Sequence, residues 1–340
     1  MRIAVKMPLI LICLSGSAAA QSNANSPVSV NVHNFVRAET DHYFGGMVKG
    51  GGFGKLSHRR APSSIDAQDV VRMNRDTLYS SGVFDLDAAP VTITLPDAGK
   101  RFMSMQVLSQ DQYTTTVVYA PGSHTFDRNG VGTRYVAILI RTLVNSEDAK
   151  DIEDANRLQD AVRIEQARSG AFEVPRWDTA SQSKARDALS VLGALGGTVN
   201  RFGNKGEVNP LDFVIGAAIG WGGNPRSAAD YQSFYPTQND GKIVYRLTVK
   251  DVPVDGFWSI SLYNAKGFFE KNDLNAYSVS NLTAKPNSDG SFIVQFGGCT
   301  KETTNCLPIM AGWNYTARLY RPRAEILSGD WKFPEAVPVR

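Results

Sequence analysis

The stretch Lys242-Ile243-Val244-Tyr245-Arg246-Leu247-Thr248-Val249-Lys250 decides how this chain is read. Ile243, Tyr245, Leu247 and Val249 fall on one side of an extended backbone, and Arg246, Thr248 and Lys250 fall on the other. A period of two built from β-branched and aromatic residues marks a strand with one buried and one wet face. Downstream, the segments 256–264, 276–283, 291–296 and 314–321 read as further strands, with Asp289-Gly290 as a hairpin signal. Pro322, Pro334 and Pro338 keep the tail irregular. Upstream, Val91-Thr92-Ile93-Thr94-Leu95 alternates as cleanly and stops at Pro96. The runs 101–108, 114–119 and 135–144 are also β-rich, with Asn129-Gly130 as a turn signal, so 83–144 reads as an antiparallel β unit.

Helical periods fill the rest. Val32, Phe35, Val36, Tyr43, Phe44 and Met47 suit an amphipathic helix over 31–48, closed by Gly50, Gly51, Gly52 and Gly54. Ser146, followed by Glu147 and Asp148, predicts a second helix start, with Ile152, Ala155, Leu158 and Val162 as its buried stripe. Thr179 caps a third helix through Leu189 and Leu192, and 211–219 makes a fourth. The fold class expected is α+β, mainly β: two antiparallel β domains joined by a helical connector. The limits are 1–20 for a signal peptide and 21–60 for the N-terminal helix and glycine-rich link. The N-terminal β domain takes 61–145, the connector 146–235 and the C-terminal β domain 236–340.

Composition bounds the function. The chain has 340 residues, 20% charged and 42% hydrophobic, which excludes a disordered tail protein, a collagen-like chain and a multi-span membrane protein. With 36 basic against 33 acidic residues there is no nucleic-acid footprint. Arg2 and Lys6, the apolar run 7–14 and the small residues ending Ala18-Ala19-Ala20 form a secretory signal cleaved after Ala20. The apolar run is shorter than the about 20 residues of a membrane span, so a periplasmic or secreted protein without stable membrane insertion is expected. Lipidation at Cys13 would need a small residue where Ile12 stands. Loss of Arg2 and Lys6 takes the formal charge from +3 to +1. Cys299 and Cys306 remain, and an oxidising compartment pairs them as a structural staple, since they lack the C-x-x-C spacing of a redox pair.

Familiar catalytic motifs fail. In Gly50-Gly51-Gly52-Phe53-Gly54-Lys55, the first glycine of a phosphate loop falls on Lys49 and its hydroxyl position on Leu56. There is no G-x-S-x-G, and His33, His42, His58 and His124 form no spaced pair for zinc. No cofactor and no metal are expected.

The constellation left is His58-Arg59-Arg60 with Arg72-Met73-Asn74-Arg75-Asp76-Thr77-Leu78-Tyr79. Several planar guanidinium forks close in sequence suit an anionic or polyhydroxylated small molecule. Asp76 is placed to orient an arginine or accept a proton, and Tyr79 and His58 to donate or relay one. The structural alternative has Asp76 pairing with Arg72 or Arg75 to pin an irregular segment. In Phe257-Trp258-Ser259-Ile260-Ser261-Leu262-Tyr263-Asn264, alternation puts Trp258 in the core, while Asn264 and the later Tyr277 are ligand candidates. Trp221-Gly222-Gly223-Asn224-Pro225 is a third polar-aromatic loop, with Trp221 its ligand candidate.

These residues carry a resemblance. With Arg72 to Ser80, Gly256 to Tyr263, Leu307-Pro308, Arg318-Leu319-Tyr320-Arg321-Pro322 and Gly329-Asp330-Trp331, the chain resembles exported bacterial proteins that join domains of unknown function 1254 and 1214. One departure is Asn272-Asp273, where the second family often has Asn-Pro. The resemblance implies two β-sandwich, jelly-roll-like domains with helices between them and transfers no catalytic residue. Three functions stay open. The first is binding of a small ligand in an interdomain cleft by Arg59, Arg60, Arg72, Asn74 and Arg75, completed by Asn264, Tyr277 or Trp221. The second is a metal-independent hydrolase or lyase with Asp76 or His58 as base and Tyr79 as acid. The third is an envelope interaction protein without a small-molecule site. Nothing in the sequence indicates an oligomeric state.

Overall fold

The computed structural model describes residues 26–68, 71–196 and 200–339. The expected signal segment and its cleavage point after Ala20 lie outside the described residues. The first part of the chain forms α1 (Phe35–Lys49), β1 (Ser57–His58), β2 (Thr77–Asp85), β3 (Val91–Leu95), β4 (Met103–Ser109), β5 (Thr114–Tyr119) and β6 (Gly122–Phe126). It continues with α2 (Arg128–Val131), β7 (Tyr135–Leu143), α3 (Ala149–Asp160), β8 (Arg163–Gln166), α4 (Thr179–Ala194) and α5 (Pro210–Gly220). The second part holds β9 (Ala229–Phe234), β10 (Tyr245–Val249), β11 (Trp258–Tyr263), β12 (Ser278–Ser280) and β13 (Phe292–Phe296). It closes with β14 (Cys306–Leu307), β15 (Asn314–Tyr320), α6 (Ala324–Ser328) and β16 (Val337–Pro338).

The fold is mainly β with antiparallel open sheets. A five-stranded sheet has the order β1-β2-β7-β4-β5 and a three-stranded sheet the order β6-β3-β8. Val91, Ile93 and Leu95 of the smaller sheet share one core with Met105, Val107 and Ile138 of the larger. In the second part the orders are β14-β13-β10-β16 and β12-β11-β15-β9, and only the β13–β14 pairing is parallel. The alternation at 243–249 is realised: Tyr245, Leu247 and Val249 are buried and Arg246 and Thr248 exposed. They meet Ile260, Leu262 and Leu319 of the facing sheet around Trp313, which has no exposed surface.

α1 packs between the large sheet and the helices. Phe44 lies against Val83, Ala137 and Leu139, while Phe35 and Ala38 meet Leu189 and Ile215 of α4 and α5. Covered on two sides, this helix buries Glu39 and Asp41 as well, each fully hydrogen-bonded. β7 is buried along its whole length because the small sheet covers one face and α1 much of the other.

Several local expectations are corrected. Asp148, not Ser146, caps α3, its carboxylate accepting from Lys150 N at 2.9 Å and Asp151 N at 3.3 Å, and Asp178 rather than Thr179 caps α4. An ionised carboxylate offers several lone pairs to free amides and outcompetes the neighbouring hydroxyl. Val162 lies beyond α3 and packs on the small sheet. Asn129-Gly130 sits inside α2, capped by Asp127. Asp289-Gly290 forms a local turn, but the strands on either side belong to different sheets, so it closes no hairpin. The tail carries α6 and an edge strand, β16, in which Pro338 costs no ladder bond on the side away from β10. The stretch 146–235 contains helices and also β8 and β9, which complete sheets of the first and second parts respectively.

Candidate functional site

Sheet β12-β11-β15-β9 buries its apolar face in the core just described. Its other face is a carpet of polar side chains: Ser259 and Ser261 of β11, Thr316 and Arg318 of β15, and Tyr231 and Ser233 paired beside them on β9. The segment 72–77 lies across this carpet and satisfies it. Arg72 takes φ 55°, and its guanidinium donates to Asn314 Oδ1 at 2.8 Å, Thr316 Oγ1 at 3.0 Å and Tyr235 Oη at 2.6 Å. Tyr263 Oη donates to Met73 O, and Arg318 donates to Arg72 O and Ser261 Oγ. Asn74 Nδ2 is shared among Thr77, Tyr79 and Tyr320 hydroxyls at 3.1–3.3 Å, while its Oδ1 accepts from Asp76 N. Asp76 accepts from Ser259 Oγ at 2.5 Å.

Burial and neighbouring charges shift both acids of this segment. Burial pushes the Asp76 carboxyl up, against the pull of Arg318, the Ser259 and Ser278 hydroxyls and Arg75. Burial would also raise the Tyr79 phenol, but the adjacent Arg141 charge, bonds from Asn74 and Thr77, and Arg318 together bring it below its ordinary value. Arg141 lies over the Tyr79 ring at 5.6 Å.

A cleft of about 370 Å³ opens beside this segment. Arg75, Asp76 and Asn145 line it from the first part of the chain, and Ser278, Thr300 and Asn305 from the second. Cys299 and Cys306 are disulfide-bonded, and the loop they close forms part of the cleft rim. A contiguous depression carries Arg75 on to Lys271, Asn275 and Tyr277. Arg75 lies over the Tyr277 ring at 5.5 Å and donates to Ser63 O. It makes no ion pair among the described residues, and burial lowers its pKa.

The arginines adjacent in sequence therefore part in space. Arg72 is spent on the carpet and Arg75 faces the cleft. Arg60 pairs with Asp160 of α3 at 2.5 Å, and Arg59 is exposed on the same side. His58 bonds Ser80 Oγ at 2.8 Å on the face of β2 that meets α3, opposite Tyr79, so Asp76, His58 and Tyr79 form no joint acid-base set. Burial and Arg60 lower the His58 pKa. Asp76 pairs with neither Arg72 nor Arg75 by a hydrogen bond; serines and the field of Arg318 hold it instead. Asn264 folds back on its own turn, its Oδ1 accepting from Lys266 N and Phe268 N. Trp221 stacks on Tyr43 at 4.4 Å and donates to Thr40, which makes it part of the helical packing. Tyr277 and Arg75 are brought together.

Sequence reasoning missed Arg141, Arg318, Tyr231 and Tyr320. Their signals were present: Arg141 is the lone charge in the apolar run 135–144, and Asn314, Thr316, Arg318 and Tyr320 alternate with apolar residues. Among the described residues no helix is long and apolar enough to cross a membrane, and no cluster of three or more His, Cys, Asp or Glu is placed to hold a metal ion.

The chain is similar over its length to a structure of the VPA0106 protein from Vibrio parahaemolyticus, at 18% identity and a TM-score of 0.70, covering 91% of this chain and 98% of that one. An uncharacterised protein from Burkholderia cenocepacia is similar at 14% identity and a TM-score of 0.51, covering 90% and 87%. These likenesses speak for the fold alone. No curated protein matches. Family descriptions do match: protein of unknown function DUF1254 at residues 53–131 and protein of unknown function DUF1214 at 233–324. The chain thus carries a DUF1254 domain followed by a DUF1214 domain, in the order its sequence motifs indicated.

Proposed function

We propose that this protein binds a small anionic, polyhydroxylated molecule in the cleft between its two β units. One observation carries the reading: the half-buried Arg75 guanidinium faces the cleft with a carbonyl and an aromatic ring as its contacts and, among the described residues, no carboxylate at ion-pair distance, although Glu147 and Asp76 of the same cleft act on it by charge. A desolvated fork with free donors favours an oxyanion. The walls around it supply Ser278, Ser280, Thr300 and Thr303 hydroxyls and Asn145 and Asn305 amides, the donors and acceptors that sugar-like hydroxyls need. The open cleft argues against an interaction protein lacking a small-molecule site. The separation of His58 from Tyr79 argues against a hydrolase or lyase built on that pair. The reading also takes each pair of sheets sharing a core as a β-sandwich, and the protein as periplasmic or secreted, with the disulfide as support.

The test is a thermal-shift screen of sugar acids, with glucuronate as first probe, followed by calorimetric titration of the wild type and Arg75→Ala. The expected result is ligand-dependent stabilisation in the wild type and at least about tenfold weaker binding in the variant, as loss of one charge-assisted fork requires. Equal affinities in the two proteins, or no stabilisation by any sugar acid, would overturn the reading.

A further inference from the structure

Arg75 stands where two depressions meet. The first, of about 370 Å³, is walled by Ser278 and by Thr300, Lys301 and Asn305 of the disulfide loop. The second, of about 880 Å³, reaches Asp66, Lys271 and Asn275. Arg75, Ser146, Glu147, Asp273 and Leu274 line both, so the two form one continuous groove. Volumes of about 300–1,000 Å³ hold drug-sized ligands. A single sugar acid is smaller than that, and seated on Arg75 it would leave most of this groove to water.

The charges along the groove are mixed. Lys271 is paired with Asp66, and the exposed Glu147 acts on Arg75 by charge. The side chains of Ser146, Asp273 and Lys301 make no hydrogen bond or ion pair among the described residues. The stretch common to both depressions thus holds one guanidinium and two carboxylates, those of Glu147 and Asp273. One anion has a seat there, on Arg75. A second anion on the adjoining unit of a ligand would meet Glu147, Asp273 or Asp66, and like charges brought together cost affinity. Neutral hydroxyls and amides meet no such penalty, and Ser146, Ser278, Thr300 and Asn275 stand along the walls to receive them.

We infer that the groove holds a glycan chain rather than a single sugar, and a chain whose acidic units are separated by neutral ones. The inference rests on the reading of the cleft as a site for an anionic, polyhydroxylated molecule, and adds to it the length and charge spacing of that molecule. One uronate places its carboxylate on Arg75. Its neutral neighbours extend into the depression bordered by the disulfide loop and into the one bordered by Asn275. Because residues 145–147 line the groove from the first part of the chain and 273–278 and 300–305 from the second, a glycan lying along it touches both parts. The loss of translational and rotational freedom is met once for the whole chain, so each added unit contributes its contacts without repeating that cost.

The experiment titrates the full chain by calorimetry with four probes: glucuronate, a hyaluronan tetrasaccharide in which glucuronate alternates with a neutral amino sugar, tetragalacturonate in which every unit is charged, and uncharged cellotetraose. The hyaluronan tetrasaccharide is expected to bind at least about tenfold more tightly than glucuronate, and more tightly than either of the other tetrasaccharides. This comparison is made on the wild type and does not depend on any variant folding. Asn275 has φ 51°, which glycine adopts freely, so Asn275→Gly removes the side chain without straining the turn. It should weaken the hyaluronan tetrasaccharide several-fold and leave glucuronate unchanged. Asp273→Asn should raise tetragalacturonate affinity several-fold more than glucuronate affinity. Glucuronate binding as tightly as the hyaluronan tetrasaccharide would overturn the inference and leave the single-sugar reading standing, whereas no binding of either would overturn both. Tetragalacturonate binding as tightly as the alternating chain would overturn the charge spacing, and wild-type tetrasaccharide affinity in Asn275→Gly would overturn the extension into the second depression.

Discussion

Arg72 and Arg75 stand three positions apart and serve opposite ends. The αL backbone at Arg72 turns its side chain onto β15, where three oxygens take it, while Arg75 is released into the cleft. A similar balance of burial and charge governs Asp85, 1% exposed at the end of β2. Burial would raise its pKa, but Arg134 and the amides of Asp87 and Ala171 outweigh that and hold it below its ordinary 3.8. A folded value under the unfolded one gives stability that is complete above about 3.8 and is lost as pH falls through the folded value. Arg134 is a third exposed, so Arg134→Ala should cost about 2–3 kcal/mol at neutral pH, somewhat less than a fully buried pair. The variant should also shift acid unfolding to higher pH, both read by denaturant titration across pH. An unchanged acid midpoint would show that this pair does not control it.

At the level of elements, strands and helices were largely legible. Alternation at 91–95 and 245–249 placed β3 and β10 closely, and the β-rich run at 114–119 placed β5, because side-chain direction and β preference along a strand are local properties of the backbone. β1, β8, β14 and β16 are too short to carry a period, and they exist because a neighbouring edge offers hydrogen bonds. Caps were misplaced by one or two residues for a similar reason: which side chain reaches the free amides depends on the approach of the chain. Glu39 shows what the helical period hides. It is fully buried on α1 and held by Arg186 and Gln182 of α4. Arg186→Ala leaves that carboxylate without its charge partner and should destabilise by about 3–5 kcal/mol, measured as a drop in urea midpoint. Arg186→Lys should recover only part of the loss, since it offers no fork. The Cys299–Cys306 loop makes a different prediction. Cys306→Ser should cost about 2–3 kcal/mol in the chain-entropy model and also weaken glucuronate, because the loop it frees lines the cleft. Unchanged glucuronate affinity would separate the rim from the site.

Over the whole molecule, the segment 72–77 acts as the joint between the two parts. Its side chains and carbonyls satisfy a polar sheet face that would otherwise be buried without partners. Arg72→Ala should therefore loosen the two parts, splitting one calorimetric unfolding transition into two or broadening it; a single transition of unchanged shape would place the joint elsewhere. The sequence by itself determined the two β units, the position of their main strands, the face of each that turns to the core and the family pair, since these follow from local periodicity and motif. It also showed that arginines gather between His58 and Arg75. Only the tertiary structure decided which polar groups meet. Arg72 finds Asn314 across 242 positions, Asp76 finds Ser259 across 183, and Arg141 finds phenols rather than a carboxylate. A side chain's outward direction is written in its own strand, but its partner is set by how sheets pair and pack, and no local pattern encodes that.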